Sequence, residues 1–174
     1  HDPSTTEQLS GWQWNGLSWY YYLDGCRLTG IQNIDDLLYY LDPARDGAMS
    51  CGWIFTENKW YYAGPSGALV SGWQFIGDQW YWFDSLNSCS MATGRRVIDG
   101  HPYLLGTYGL INGWYLDNGL WYWGSNGEVL TGWLQTGNNW YWLDPAHDGV
   151  MSRGIVSVGS SRYYLSDSGA MAVG

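Results

Sequence analysis

The chain has 174 residues, a length that fits one compact domain or a short repeat array, and a formal net charge of -9 with only seven Lys plus Arg. Neutralising phosphates needs clustered basic side chains, so this composition excludes a nucleic-acid or anionic-membrane surface. Aromatics make up 18% of residues, but 14 are Trp and 15 Tyr against 3 Phe, a choice that suits half-wet binding surfaces better than a plain core.

After an N-terminal tail (residues 1–10), the first element reads as a β-hairpin. Gly11-Trp12 opens a strand, Asn15-Gly16 turns it, and Trp19-Tyr20 begins the return. A second hairpin opens at Gly30-Ile31 and returns through Leu38-Tyr39. The third runs from Gly52-Trp53 to Trp60-Tyr61, and the fourth from Gly72-Trp73 through Gly77-Asp78 to Trp80-Tyr81-Trp82. The fifth departs from the pattern, with Gly94-Arg95 and Pro102-Tyr103. The sixth restores it at Gly113-Trp114, Asn118-Gly119 and Trp121-Tyr122. The seventh repeats it at Gly132-Trp133 and Trp140-Tyr141, and the eighth closes the series with Gly154-Ile155 and Arg162-Tyr163.

Units therefore start near 12, 31, 53, 73, 95, 114, 133 and 155, at intervals of 19 to 22 residues. A second glycine turn (Gly25, Gly47, Gly67, Gly109, Gly127, Gly149, Gly169) leads from each unit toward the next; Cys89 replaces it in the fourth. A lone hairpin is unstable in water, whereas stacked hairpins share a continuous core, so the expected fold is an all-β solenoid of about eight hairpins over residues 11–174.

Strand alternation sorts the rings. In Trp80-Tyr81-Trp82 the outer two face one side and the Tyr the other. The Tyr is present in all eight units and reads as structural. The Trp pair is present in five units and lost jointly at Ile31/Leu38, Arg95/Pro102 and Ile155/Arg162, that is, in units two, five and eight. With three hairpins per turn these losses fall in one column. Trp pairs that vanish together while their neighbour stays point to a role beyond packing.

The frame Gly-Trp, six residues, Trp-Tyr-aromatic, turn, Gly-x-Met or aliphatic, Gly is quotable as "GWIFTENKWYYAGPSGALVSGW" (52–73) and "GWLQTGNNWYWLDPAHDGVMSRG" (132–154). It resembles the choline-binding, or cell-wall-binding, repeat of Gram-positive surface proteins across essentially residues 11–174. The resemblance implies a left-handed β-solenoid with roughly three hairpins per turn. It also implies choline held between consecutive hairpins by two Trp of one repeat and an aromatic of the next. The expected walls are Trp12/Trp19 with Tyr40, Trp53/Trp60 with Trp82, Trp114/Trp121 with Trp142, and Trp133/Trp140 with Tyr164. For Trp73/Trp80 the third position is Leu104, so that site is expected to be weak or missing. Met49, Met91, Met151 and Met171 occupy the family's Met position.

The function so implied is a noncatalytic, cofactor-free module, secreted or at the wall surface and part of a larger protein, which binds choline or choline-bearing teichoic acid. The alternative is a carbohydrate (glucan)-binding or adhesin/toxin receptor-binding module, in which the same rings stack on polysaccharide.

The residues offer no persuasive catalytic constellation. His101 and His147 lie in different units, and no Ser sits in a nucleophile elbow. "DPARDG" (42–47) and "DPAHDG" (144–149) resemble a calcium loop, but position three is Ala and position twelve falls on Trp53 and Ile155, so Asx-type turns are expected and no metal. A disulfide between Cys26 and Cys89 would join units one turn apart in the three-per-turn arrangement. No apolar run is long enough to cross a bilayer, and no signal-peptide pattern opens the chain; its start at His1 reads as a processed or excised piece.

Overall fold

The computed structural model describes residues 9–172; the first eight residues of the expected tail lie outside them. Among the described residues the regular structure is β-strand plus short 3-10 turns such as Pro43–Arg45, Ser85–Asn87 and Pro145–His147. The chain clusters into two compact units. One takes the chain up to Gln74 together with Trp82–Met91, and the other takes Phe75–Tyr81 and the chain from Ala92 onward.

Both units are built from antiparallel hairpins. In the first, Gly11–Trp14 pairs with Trp19–Leu23, Gly30–Ile34 with Leu37–Asp42, and Gly52–Thr56 with Lys59–Ala63. In the second, Gly94–Ile98 pairs with His101–Gly106, Gly113–Asp117 with Leu120–Ser125, Gly132–Thr136 with Asn139–Asp144, and Gly154–Val158 with Ser161–Leu165. Gly72–Ile76, Gln79–Asp84 and Ser90–Met91 form one further three-stranded sheet. Turn chemistry explains the hairpins. Two-residue loops such as Asp35-Asp36 (φ 52° and 68°) and Asn118-Gly119 (50° and 80°) have both residues left-handed, which matches the twist of the flanking strands.

The two glycine sets answer different demands. Leading glycines such as Gly30 (φ 82°) and Gly132 (92°) have open space where a Cβ would go, so only the backbone angle requires them. Trailing glycines are also crowded: a Cβ at Gly47 would lie 2.8 Å from the Leu28 carbonyl oxygen, and one at Gly149 would lie 2.9 Å from that of Leu130.

That crowding marks the stacking contact. The segment trailing each hairpin lies along the return strand of the hairpin before it. In the first unit the Leu69 N–H donates to the Leu38 carbonyl (2.7 Å). In the second, Leu104 N–H donates to Gly127 O and Met171 N–H to Trp140 O, both at 2.7 Å. Among the described residues, five of the six largest fully buried side chains recur three residues after the second Trp position: Leu41, Phe83, Leu105, Leu143 and Leu165, each 0–1% exposed.

The acidic turns are Asx-type, as expected. Asp42 Oδ1 accepts from Ala44 N–H and Asp144 Oδ1 from Ala146 N–H, both at 2.9 Å. The Cys26–Cys89 bridge is not formed: all three cysteines are free thiols, with Cys26 exposed and Cys89 packed against the cluster of Ile54, Tyr61, Ala63 and Leu69. Burial, and secondarily the Asp84 charge, pushes the Cys89 thiol above its ordinary pKa.

Candidate functional site

Hairpin register decides which rings meet. Residues directly opposite each other on one face of an antiparallel pair pack together. Trp133 stands opposite Trp142, and their rings lie 4.9 Å apart; Trp114 stands opposite Trp123 at 5.2 Å, Trp12 opposite Tyr21 at 5.2 Å, and Trp53 opposite Tyr62 at 5.2 Å. The ring two after the second Trp position is thus engaged within its own hairpin. The Tyr between them points to the other face, toward the preceding hairpin. Tyr39 meets Trp12, Tyr141 meets Trp114 and Tyr163 meets Trp133, each edge-on at 4.9 Å.

Open hollows form beside these contacts. One of about 280 Å³ is lined by Trp12, Trp19, Tyr39 and Met49, with Pro65 and Ser66 at its rim. Another of about 280 Å³ is lined by Trp114, Trp121, Tyr141 and Met151, rimmed by Arg153, Asp167 and Ser168. A third of about 210 Å³ lies among Trp133, Trp140, Tyr163 and Met171. The two indoles stand nearly perpendicular, 6.4 Å apart at 85° for Trp114/Trp121 and at 88° for Trp133/Trp140. Trp53 and Trp60 repeat that geometry at 6.0 Å and 88°.

The Trp pairs named from the sequence at 12/19, 114/121 and 133/140 are therefore brought together around open space, but the third ring differs. Tyr40, Trp142 and Tyr164 do not line these hollows; Tyr39, Tyr141 and Tyr163 do. Tyr40 stands opposite Ile31, and Tyr164 opposite Ile155. Beside Trp53 the structure brings Phe83 to 5.9 Å, while Trp82 is half-buried in the same strand. Trp73 is half-buried, Trp80 stacks on Phe75 at 5.2 Å and 29°, and Leu104 is fully buried. The Tyr read as structural thus also lines the hollows.

Where Trp is missing, the same Tyr meets whatever replaces it. The Arg95 guanidinium lies over the Tyr122 ring at 5.9 Å. In the first hairpin, Arg27 covers Tyr20 at 3.9 Å. Faces of these rings accept cations from the chain itself, the expected behaviour of a ring quadrupole. Among the described residues no group of three His, Cys, Asp or Glu could hold a metal ion.

Residues 52–69, 71–85 and 131–146 match the profile of the cell wall binding repeat. CbpJ of Streptococcus pneumoniae TIGR4 is similar at 34% identity and a TM-score of 0.67, covering 94% of this chain and 58% of its own. Choline binding protein F of Streptococcus pneumoniae is similar at 28% identity and a TM-score of 0.64, covering 95% of this chain and 58% of its own. A structure of that protein with a peptidoglycan analogue aligns at 34% identity and a TM-score of 0.61, covering 94% of this chain and 52% of that one. The chain thus spans a little over half the length of these relatives. A comparison with curated proteins gives no match. The chain belongs to the choline-binding, cell-wall-binding repeat family, whose fold is a solenoid of β-hairpin repeats.

Proposed function

We propose that this chain is a noncatalytic anchoring module that takes the choline head groups of teichoic acid into the hollows between successive hairpins. In this reading residues 11–174 form eight units wound as a left-handed solenoid with about three hairpins per turn. The module belongs to a larger secreted or wall-surface protein.

The observation that carries the reading is the recurrence of one hollow: two indoles, a tyrosine edge and a methionine line it at Trp12, Trp114 and Trp133, with the indoles near-perpendicular at the latter two. A trimethylammonium group donates no hydrogen bonds, so ring faces are its natural receptor, at about 0.5–2 kcal/mol per ring. Each site is weak by itself. Several on one scaffold, meeting a polymer with many choline groups, gain on the order of 10²–10⁴ in avidity. The net charge of -9 favours cations at longer range.

The test is passage over an immobilised quaternary amine. Retention and elution by free choline are expected; retention on a glucan column instead, indifferent to choline, would sink the reading in favour of sugar stacking on the same rings.

A further inference from the structure

A further hollow of the first unit is not a ring cage. It encloses about 560 Å³ beside the hairpin that lost its Trp pair. Ile31 and Leu38 stand where the indoles would be and line one side, with Tyr40 beside them. Ligand sites commonly span about 300–1,000 Å³, and the ring hollows fall below that range while this one lies well inside it.

Its rim is a different chemistry from the cages. Asn33, Glu57, Lys59, Asn87 and Ser88 line it. Asn33 spends its carbonyl oxygen on the Asp36 N–H (3.1 Å), leaving both amide N–H donors unused. Asn87 donates to Asp84 Oδ2 at 3.3 Å, leaving its carbonyl oxygen as an acceptor. Lys59 adds donors and Glu57 acceptors, with opposite charges, so the rim carries no net sign. Tyr40 and Tyr61 are the only aromatic rings among its lining residues, so it lacks the facing indoles of the cages. A pyranose fits better, because its C–H face can lie on Tyr40 and the aliphatic wall while its hydroxyls reach donors and acceptors at the rim.

We propose that this groove is a second binding site, chemically distinct from the cages, that takes a short run of neutral pyranose sugars. The inference does not rest on the choline reading. It is tested by following the signals of the groove residues by NMR while the full chain is titrated with chitotetraose and with isomaltotetraose. Shifts at Tyr40, Asn33 and Lys59 are expected for at least one saccharide. Saturating choline and the Trp133→Ala variant should leave its affinity unchanged.

Lys59→Gln and Asn87→Ala, both exposed and outside the core, should each weaken it roughly twofold to tenfold, as loss of one hydrogen bond does. Tyr40→Ala should weaken it further, and the two rim variants keep the test decisive if that chain unfolds. No response to either saccharide overturns the proposal. So does a response that choline or Trp133→Ala abolishes, because the sugar then sits on the cage rings. Retention on the amine column is scored separately, so the two readings fail independently.

Discussion

The 11–23 and 30–42 hairpins, neighbours in one unit, share the leading glycine, the return-strand tyrosine and the antiparallel pairing, yet present opposite surfaces. The first offers Trp12 to Tyr39 at 4.9 Å beside an open cage. The second offers Ile31, packed against the cluster that contains Tyr61, beside a wide polar groove. What survives the change is the glycine and the tyrosine, so those carry the fold; the apolar position filled by Leu41 in the second hairpin is Tyr22 in the first and recurs as Leu143 in a Trp-bearing hairpin. The indoles are an option laid over it.

The harshest way to break this comparison is to attack the shared layer. Leu41→Ala and Leu143→Ala, one in a Trp-less and one in a Trp-bearing hairpin, both remove side chains that are 0% exposed. Each should cost about 2–5 kcal/mol in denaturant unfolding. A clearly smaller loss at Leu41 would mean that the hairpins are not held alike.

Glycines come next. Gly30→Ala meets only its left-handed angle and should cost about 1–2 kcal/mol, whereas Gly47→Ala also drives a methyl onto the Leu28 carbonyl and should cost measurably more. Equal melting shifts would erase the distinction between the two glycine sets.

Trp133→Ala sharpens the comparison from the other side. Amine retention at that hollow should weaken by about 0.5–2 kcal/mol, with the strands intact by circular dichroism. Tyr141→Ala should lower both stability and retention, since it faces Trp114.

The smallest effect concerns acid. The His147 hydrogen bond at 2.6 Å, helped by the Ala146 N–H and opposed by partial burial, holds Asp144 below the ordinary carboxylate range. A depressed folded pKa stabilises above the unfolded value and is lost as pH falls through the folded one. On an exposed pair this amounts to no more than about 0.5 kcal/mol. Asp144→Asn should therefore flatten the stability profile slightly below pH 4 and leave it flat above.

Much of this was legible in the chain. The Gly-Trp and Trp-Tyr spacing located the hairpins, and the joint loss at Ile31/Leu38 marked the indoles as separable from the fold. Two things escaped. Leu41, Leu143 and Leu165 recur three residues after the second Trp position, an aliphatic signal overshadowed by the rings, and they form the core. The third cage wall was assigned to Tyr40, Trp142 and Tyr164 by counting along the motif. Cross-strand register binds those residues to their own hairpin and turns Tyr39, Tyr141 and Tyr163 toward the one before. Periodicity tells which faces alternate, but which face meets which neighbour is a property of stacking.

That stacking has a direction. Trp133 and Trp140 are completed by Tyr163 and Met171 of the hairpin after them, so no hairpin makes a cage unaided. Excising one repeat in frame deletes a cage and rebuilds its neighbour from a new downstream lender, with the joint's quality set by a single borrowed tyrosine and methionine. Each duplication in such a chain then tests one fresh junction while the older ones keep their partners, whereas substitution of an indole pair, as at Ile31 and Leu38, removes a cage and leaves the repeat in place.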